Sequence, residues 1–221
     1  MLESSGHVSF ANCGLPYYLG QVIEDREALL LQTPESLKAR FNLDVRVNST
    51  ATKIDREAKT VRVQGSGDGA EQGLNEDTER DPGNGAKDGA ETSAINPTES
   101  PLSYDYLVLS PSASPFIPPI PGIDRSFTLR IVEDTDTITN ALGETKRSTA
   151  VIIGGGFIGL EVAENFAHRG IKTTVVESNP QIMGPLDPEM AQVVQQRLED
   201  NGVRVITSQQ VNHITATHVA T

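Results

Sequence analysis

Residues 151–161 read VIIGGGFIGLE. Gly154, Gly156 and Gly159 stand in the G-x-G-x-x-G spacing, directly after an apolar run that predicts a strand and at the start of a segment that predicts a helix. Gly154 permits the tight turn, Gly156 lets the backbone approach a pyrophosphate with no Cβ in the way, and Gly159 lets helix and strand pack closely. Exposed amides and the positive helix end then hold the phosphates of a dinucleotide. Outward from this loop, apolar periodicity predicts a strand at 150–153, a helix at 156–169, a strand at 172–177, a helix at 188–201 and a strand at 203–207. That alternation means an α/β fold with a parallel sheet.

Glu177 closes the second of these strands, 23 residues beyond Gly154. A carboxylate there accepts hydrogen bonds from a ribose 2′-hydroxyl and repels a 2′-phosphate, which favours NADH over NADPH, with Lys172 and Arg197 as the cations that would offset it. Glu161 and Glu164 lie three residues apart on the helix. Glu161 has two readings, a solvated helix surface or an acid near the nucleotide. Phe157 likewise has two, a core side chain or a cofactor contact.

The chain has 221 residues and a formal net charge of −12, so a polyanion such as nucleic acid is repelled. Much of that charge sits in 65–100, a Gly, Asp, Glu, Asn, Ser and Thr stretch without an aromatic residue, where nine acids face only Arg80 and Lys87. The stretch is predicted to be a disordered acidic insertion. On either side of it, strands are predicted at 44–47, 60–63 and 106–109. No stretch approaches the roughly 18 apolar residues of a membrane span, and MLESSGHVSF lacks the features of a signal peptide, so a cytoplasmic setting is expected. One cysteine and four scattered histidines leave neither a disulfide framework nor a metal-ligand pattern.

PSASPFIPPIPG, 111–122, places four prolines after Ser114 where helix or sheet would need backbone donors, and marks a crossover. Two domains are expected, 1–122 and 123–221. A helix follows at 133–142, with Asp134 and Asp136 near its N-terminal end.

SFANCGLPYYLG, 9–20, holds the lone thiol. Pro16 suits a helix's first turn, which puts Cys13 at or just before a helix N-terminus, where the thiolate is favoured. The dipole contributes only about 0.3–1 kcal/mol. Taken alone, Cys13 reads either as a small apolar side chain or as a reactive thiol awaiting a stronger activator.

Taken together, SFANCGLPYYLG, LLLQTPESL (29–37), YDYLVLSPSASP (104–115), GGGFIGLE (154–161) and VVESNPQIMGPLDPEM (175–190) closely resemble the coenzyme A-disulfide reductases. These form part of the single-cysteine branch of the FAD-dependent pyridine nucleotide-disulfide oxidoreductases, beside the NADH oxidases and peroxidases. The resemblance implies a Rossmann-like FAD/NAD(P)-binding fold. It implies FAD and NADH or NADPH as cofactors, and a small disulfide such as coenzyme A disulfide as substrate. It makes Cys13 the redox nucleophile and matches Ser9 and Asn12 to substrate contacts. Gly154, Gly156 and Gly159 match the nicotinamide-dinucleotide loop, Phe157 a gate near the flavin, Glu161 an acid close to the nicotinamide, and Ala51 a backbone contact to the flavin's adenine. It further implies that 1–122 is a partial flavin domain and 123–221 a nicotinamide-nucleotide domain, in a chain truncated at both ends. Bound flavin is then expected to be scant and NAD(H) affinity weak, and the dimerisation domain of the homodimeric full-length proteins is missing. Ser112 departs from the family, where glycine is usual, and Phe41 stands in place of a basic residue.

Overall fold

The computed structural model describes residues 1–65, 100–145 and 148–221, with the side chains at 100, 144 and 145 left out. The predicted acidic insertion lies almost wholly outside the described residues.

The chain divides into two compact units, Met1–Val8 with Thr33–Ser110, and Ser9–Gln32 with Pro111–Thr221. These units interleave along the sequence.

In the first unit, helix Pro34–Phe41 is opened by a capping box in which Thr33 and Ser36 exchange side-chain and backbone hydrogen bonds. The sheet of this unit is antiparallel, Ser49–Asp55 pairing with Thr60–Gly65 and that strand with Ser100–Ser103. Val61 and Val63 are buried and Arg62 is exposed, the alternation of a half-buried strand. Thr52 falls between the paired positions Ala51↔Val63 and Lys53↔Arg62, which makes a bulge. Two predictions fail here. Residues 44–47 form no strand; Arg46 makes only an isolated parallel bridge to Leu2. Residues 106–109 are irregular, and the strand lies earlier, at Ser100–Ser103. Tyr106 and Val108 are 94 % and 88 % exposed. Apolar alternation makes a strand only where a neighbour takes up the backbone donors and acceptors.

In the second unit, β1 (Ser9–Phe10) pairs antiparallel with β2 (Leu30–Gln32). Between them a 3₁₀ turn, Asn12–Gly14, runs into helix α1 (Leu15–Leu19). Helix α2 (Val132–Thr145) follows the proline-rich link and exceeds its predicted span at both ends. Then come β3 (Thr149–Ile153), α3 (Phe157–His168), β4 (Lys172–Val176), α4 (Pro188–Asp200) and β5 (Arg204–Ile206), within a residue or two of expectation. The three strands form a parallel sheet in the order β3-β4-β5. A short hairpin of His213–Ile214 and Val219–Ala220 ends the chain. Gly122, at φ +84°, lies where a Cβ would overlap the Ile214 carbonyl, so only glycine fits that end of the link.

Leu160 and Ala163 of α3, Val175 of β4, Leu198 of α4, and Ile182 and Val203 make one core cluster. A second joins Leu19 of α1 to Ile138 of α2 and to Phe166 and Ile171. This second cluster seats the cysteine-bearing segment against the helix that follows the glycine turn.

Candidate functional site

The glycine turn takes its shape from neighbours on every side. Gly154 adopts φ +105°, and its N–H donates to the Val176 carbonyl at 2.8 Å. The Gly155 N–H donates to Glu177 Oε2 at 2.7 Å, and the Gly155 carbonyl accepts from Met183 N–H at 2.8 Å. Gly155 also lies against buried Ile182, whose Cγ2 would stand 2.7 Å from an added Cβ. Gly159, in the first turn of α3, faces the Gly154 carbonyl so closely that a Cβ would overlap it.

Gly156 differs from these. It is the N-cap of α3 with extended backbone (φ −85°, ψ −178°), no side chain caps the helix, and a Cβ there would meet nothing within 4 Å. Open space beside uncapped first-turn amides is what a pyrophosphate requires. The residues present therefore fit a dinucleotide.

Glu177 is buried at 8 % exposure, with both carboxylate oxygens engaged. Besides Gly155 on Oε2, Oε1 accepts from Asn179 N–H at 2.7 Å, Asn179 Nδ2 at 2.8 Å and Ser178 Oγ at 3.2 Å. Burial pushes the carboxyl up, but the donors of Asn179, Gly155 and Ser178 together outweigh burial and hold it below the usual carboxylate value. The charge is thus kept at the strand end. Asn179 and Ser178 were invisible as supports in the sequence, although their place directly after the acid was a usable signal.

Phe157 is 59 % exposed at the start of α3, so it is not a core side chain. Glu161 is half-buried one turn further along, while Glu164 is exposed. The backbone carbonyl of Glu161 accepts from Asn165 Nδ2 at 2.8 Å.

Cys13 is exposed, in the 3₁₀ turn that leads into α1, with Pro16 in the helix's first turn. Gly14 beside it is buried, and a Cβ there would come within 2.9 Å of Leu29 Cδ2. With only five residues, α1 offers a short dipole. Ser9 lies on β1 opposite Gln32. Asn12 is exposed, and its Oδ1 accepts from Arg130 Nη1 at 3.2 Å. Arg130 was not singled out in the sequence. Ala51 lies on the bulged strand of the first compact unit.

The two glycine-rich segments meet through α1 and α3. Arg169 Nη1, at the end of α3, donates to the Leu19 carbonyl at 2.7 Å, and Gly20 sits so close to the Asn165 side chain that a Cβ would overlap it. The helix that follows Cys13 is thereby fixed to the helix that begins at the glycine turn.

Among the described residues no group of three or more His, Cys, Asp or Glu is arranged to hold a metal ion, and no helix is long and apolar enough to cross a membrane.

Residues 1–221 match the family model described as pyridine nucleotide-disulphide oxidoreductase. A coenzyme A disulfide reductase of Staphylococcus epidermidis is 33% identical over 214 residues, 97% of this chain and 42% of that protein. An NADH oxidase of Methanocaldococcus jannaschii is 30% identical over 217 residues, again 97% of this chain and 42% of that protein. Among solved structures, that of reduced Bacillus anthracis CoADR-RHD superposes with a TM-score of 0.81 at 39% identity, over 98% of this chain and 34% of that one. The chain thus spans less than half the length of the relatives it matches.

Proposed function

Because the chain belongs to the pyridine nucleotide-disulphide oxidoreductase family, we propose that it serves an FAD-dependent NAD(P)H oxidoreductase that reduces a disulfide of the coenzyme A type through Cys13. The observation that carries this reading is an exposed thiol whose helix is locked onto the helix of the glycine turn.

The chemistry assigned to the chain's own residues is thiol–disulfide exchange. The Cys13 thiolate attacks one sulfur of the substrate disulfide, a new S–S bond forms, the old one breaks, and one coenzyme A thiolate leaves and is protonated. FAD, when bound, would supply the two electrons drawn from the nicotinamide that return the mixed disulfide to thiols. Gly156 and the first-turn amides of α3 would hold the dinucleotide phosphates, and Glu177 would take the ribose hydroxyls, which favours NADH. Phe157 and Glu161 would stand at the nicotinamide end, Ser9 and Asn12 at the substrate, and Ala51 at the flavin's adenine. Residues 1–122 are assigned to the flavin and 123–221 to the nicotinamide nucleotide. A thiol that must stay reduced suits the cytoplasm.

Incubating the chain with coenzyme A disulfide and analysing it by mass spectrometry tests the proposal. An adduct on Cys13, absent from Cys13→Ser and released as coenzyme A by dithiothreitol, is the expected result. Absence of the adduct from a thiol that still reacts with iodoacetamide would overturn it.

The similarity to an NADH oxidase favours a second reading, in which Cys13 cycles through a sulfenic acid. Dimedone capture after peroxide treatment, without coenzyme A exchange, would support that chemistry instead.

A further inference from the structure

Arg130 precedes α2 and is half-buried. Its guanidinium reaches segments far away in sequence. Nη2 donates to Ser112 Oγ at 2.7 Å, Nε to the Ala113 carbonyl at 3.2 Å, and Nη1 to Asn12 Oδ1 at 3.2 Å. Its own backbone is held as well, since the Asp134 carboxylate accepts the N–H groups of Arg130 at 2.6 Å and Ile131 at 3.1 Å.

A guanidinium has donors and no acceptor. The Asn12 atom that faces it must therefore be the amide oxygen, which leaves the –NH2 as what Asn12 offers elsewhere. One residue before Cys13, this side chain is set as a donor. Ser112 takes part because its hydroxyl can accept from Arg130, which a glycine there could not.

The geometry points to Arg130 as a positioning residue: anchored by Ser112 and the Ala113 carbonyl, it fixes Asn12 as a hydrogen-bond donor beside Cys13 for the carbonyl oxygens of an amide-bearing disulfide. The substrate class rests on the function proposed above. The orientation of Asn12 does not.

The full chain, without flavin, is reacted at Cys13 with two probes. Coenzyme A disulfide carries amide carbonyls, and methyl methanethiosulfonate carries none. Arg130→Met is expected to slow the first reaction about tenfold, as loss of one charge-assisted hydrogen bond would, and the second less than about twofold. Arg130→Lys, which keeps the charge and loses the planar fork, recovers less than half of the lost rate, and Ser112→Gly falls between Met and wild type. The Asn12 side-chain NH2 signals in a ¹⁵N correlation spectrum, identified by their loss in Asn12→Ala, shift in Arg130→Met.

Equal slowing with both probes, no slowing with either, full recovery with lysine, or unmoved Asn12 signals would each overturn the assignment. Should Arg130→Met fail to fold, Arg130→Lys and Ser112→Gly carry the same comparison. A wild-type thiol that reacts with the thiosulfonate and not with coenzyme A disulfide sinks the proposed substrate, and the Asn12 signals then decide the role of Arg130 by themselves.

Discussion

The Glu177 carboxylate accepts the Gly155 N–H at 2.7 Å, so the end of β4 is tied to the middle of the glycine turn by a charged, buried hydrogen bond. The acid assigned to the nucleotide's ribose is also a latch on the loop that would hold its phosphates. Replacing it tests both tasks. Glu177→Gln sets an NH2 donor against the donors of Gly155 or Asn179, and stability to urea should fall by about 1–3 kcal/mol. The ratio of NADH to NADPH affinity, measured by titration, should fall as well. An unchanged ratio removes the ribose role; unchanged stability removes the latch.

The same bond sets a pH dependence. The folded Glu177 carboxyl lies below its ordinary value, so its stabilisation is fully present above the unfolded value of about 4.3 and is lost as pH falls through the folded one. Thermal unfolding of the wild type should therefore weaken more steeply below about pH 4.3 than that of Glu177→Gln. Parallel acid limbs would show that the carboxylate contributes nothing.

Two glycines separate stability from binding. Gly159→Ala forces a Cβ into the Gly154 carbonyl and should cost about 1–3 kcal/mol of stability. Gly156→Ala meets no neighbour and has an ordinary extended φ, so its urea midpoint should stay close to wild type. Its NADH affinity should nonetheless drop about tenfold or more, because the methyl group occupies the space beside the amides. Full NADH binding by Gly156→Ala would move the phosphates elsewhere.

The exposed Cys13 thiol should react with Ellman's reagent in the native protein, to one equivalent per chain and without denaturant. Cys13→Ser should show none. Colour that develops only on unfolding would place the sulfur in packed interior and remove it from any redox role.

Much of the second unit was legible in the sequence. The 3.6-residue and two-residue periods of 150–207, and the glycine spacing within them, depend on neighbours only a few residues apart. The place of Cys13 just ahead of the Pro16 helix is local in the same way, whereas its exposure is a matter of packing. Residues 106–109 carry the alternating pattern of a strand, yet no partner strand lies beside them among the described residues and they stay irregular. Ser9–Gln32 packs with residues more than a hundred positions downstream, a contact that no local pattern carries.

From the amino-acid order alone came the parallel α/β unit, the glycine turn, the acid at Glu177 and the lone thiol, since each is written in short-range spacing and side-chain chemistry. Tertiary structure decided which donors the acid holds, that Phe157 faces outward, and that Arg130 reaches Asn12 across 118 residues. A hydrogen bond between remote segments exists only once packing has brought them together, and no local pattern announces it.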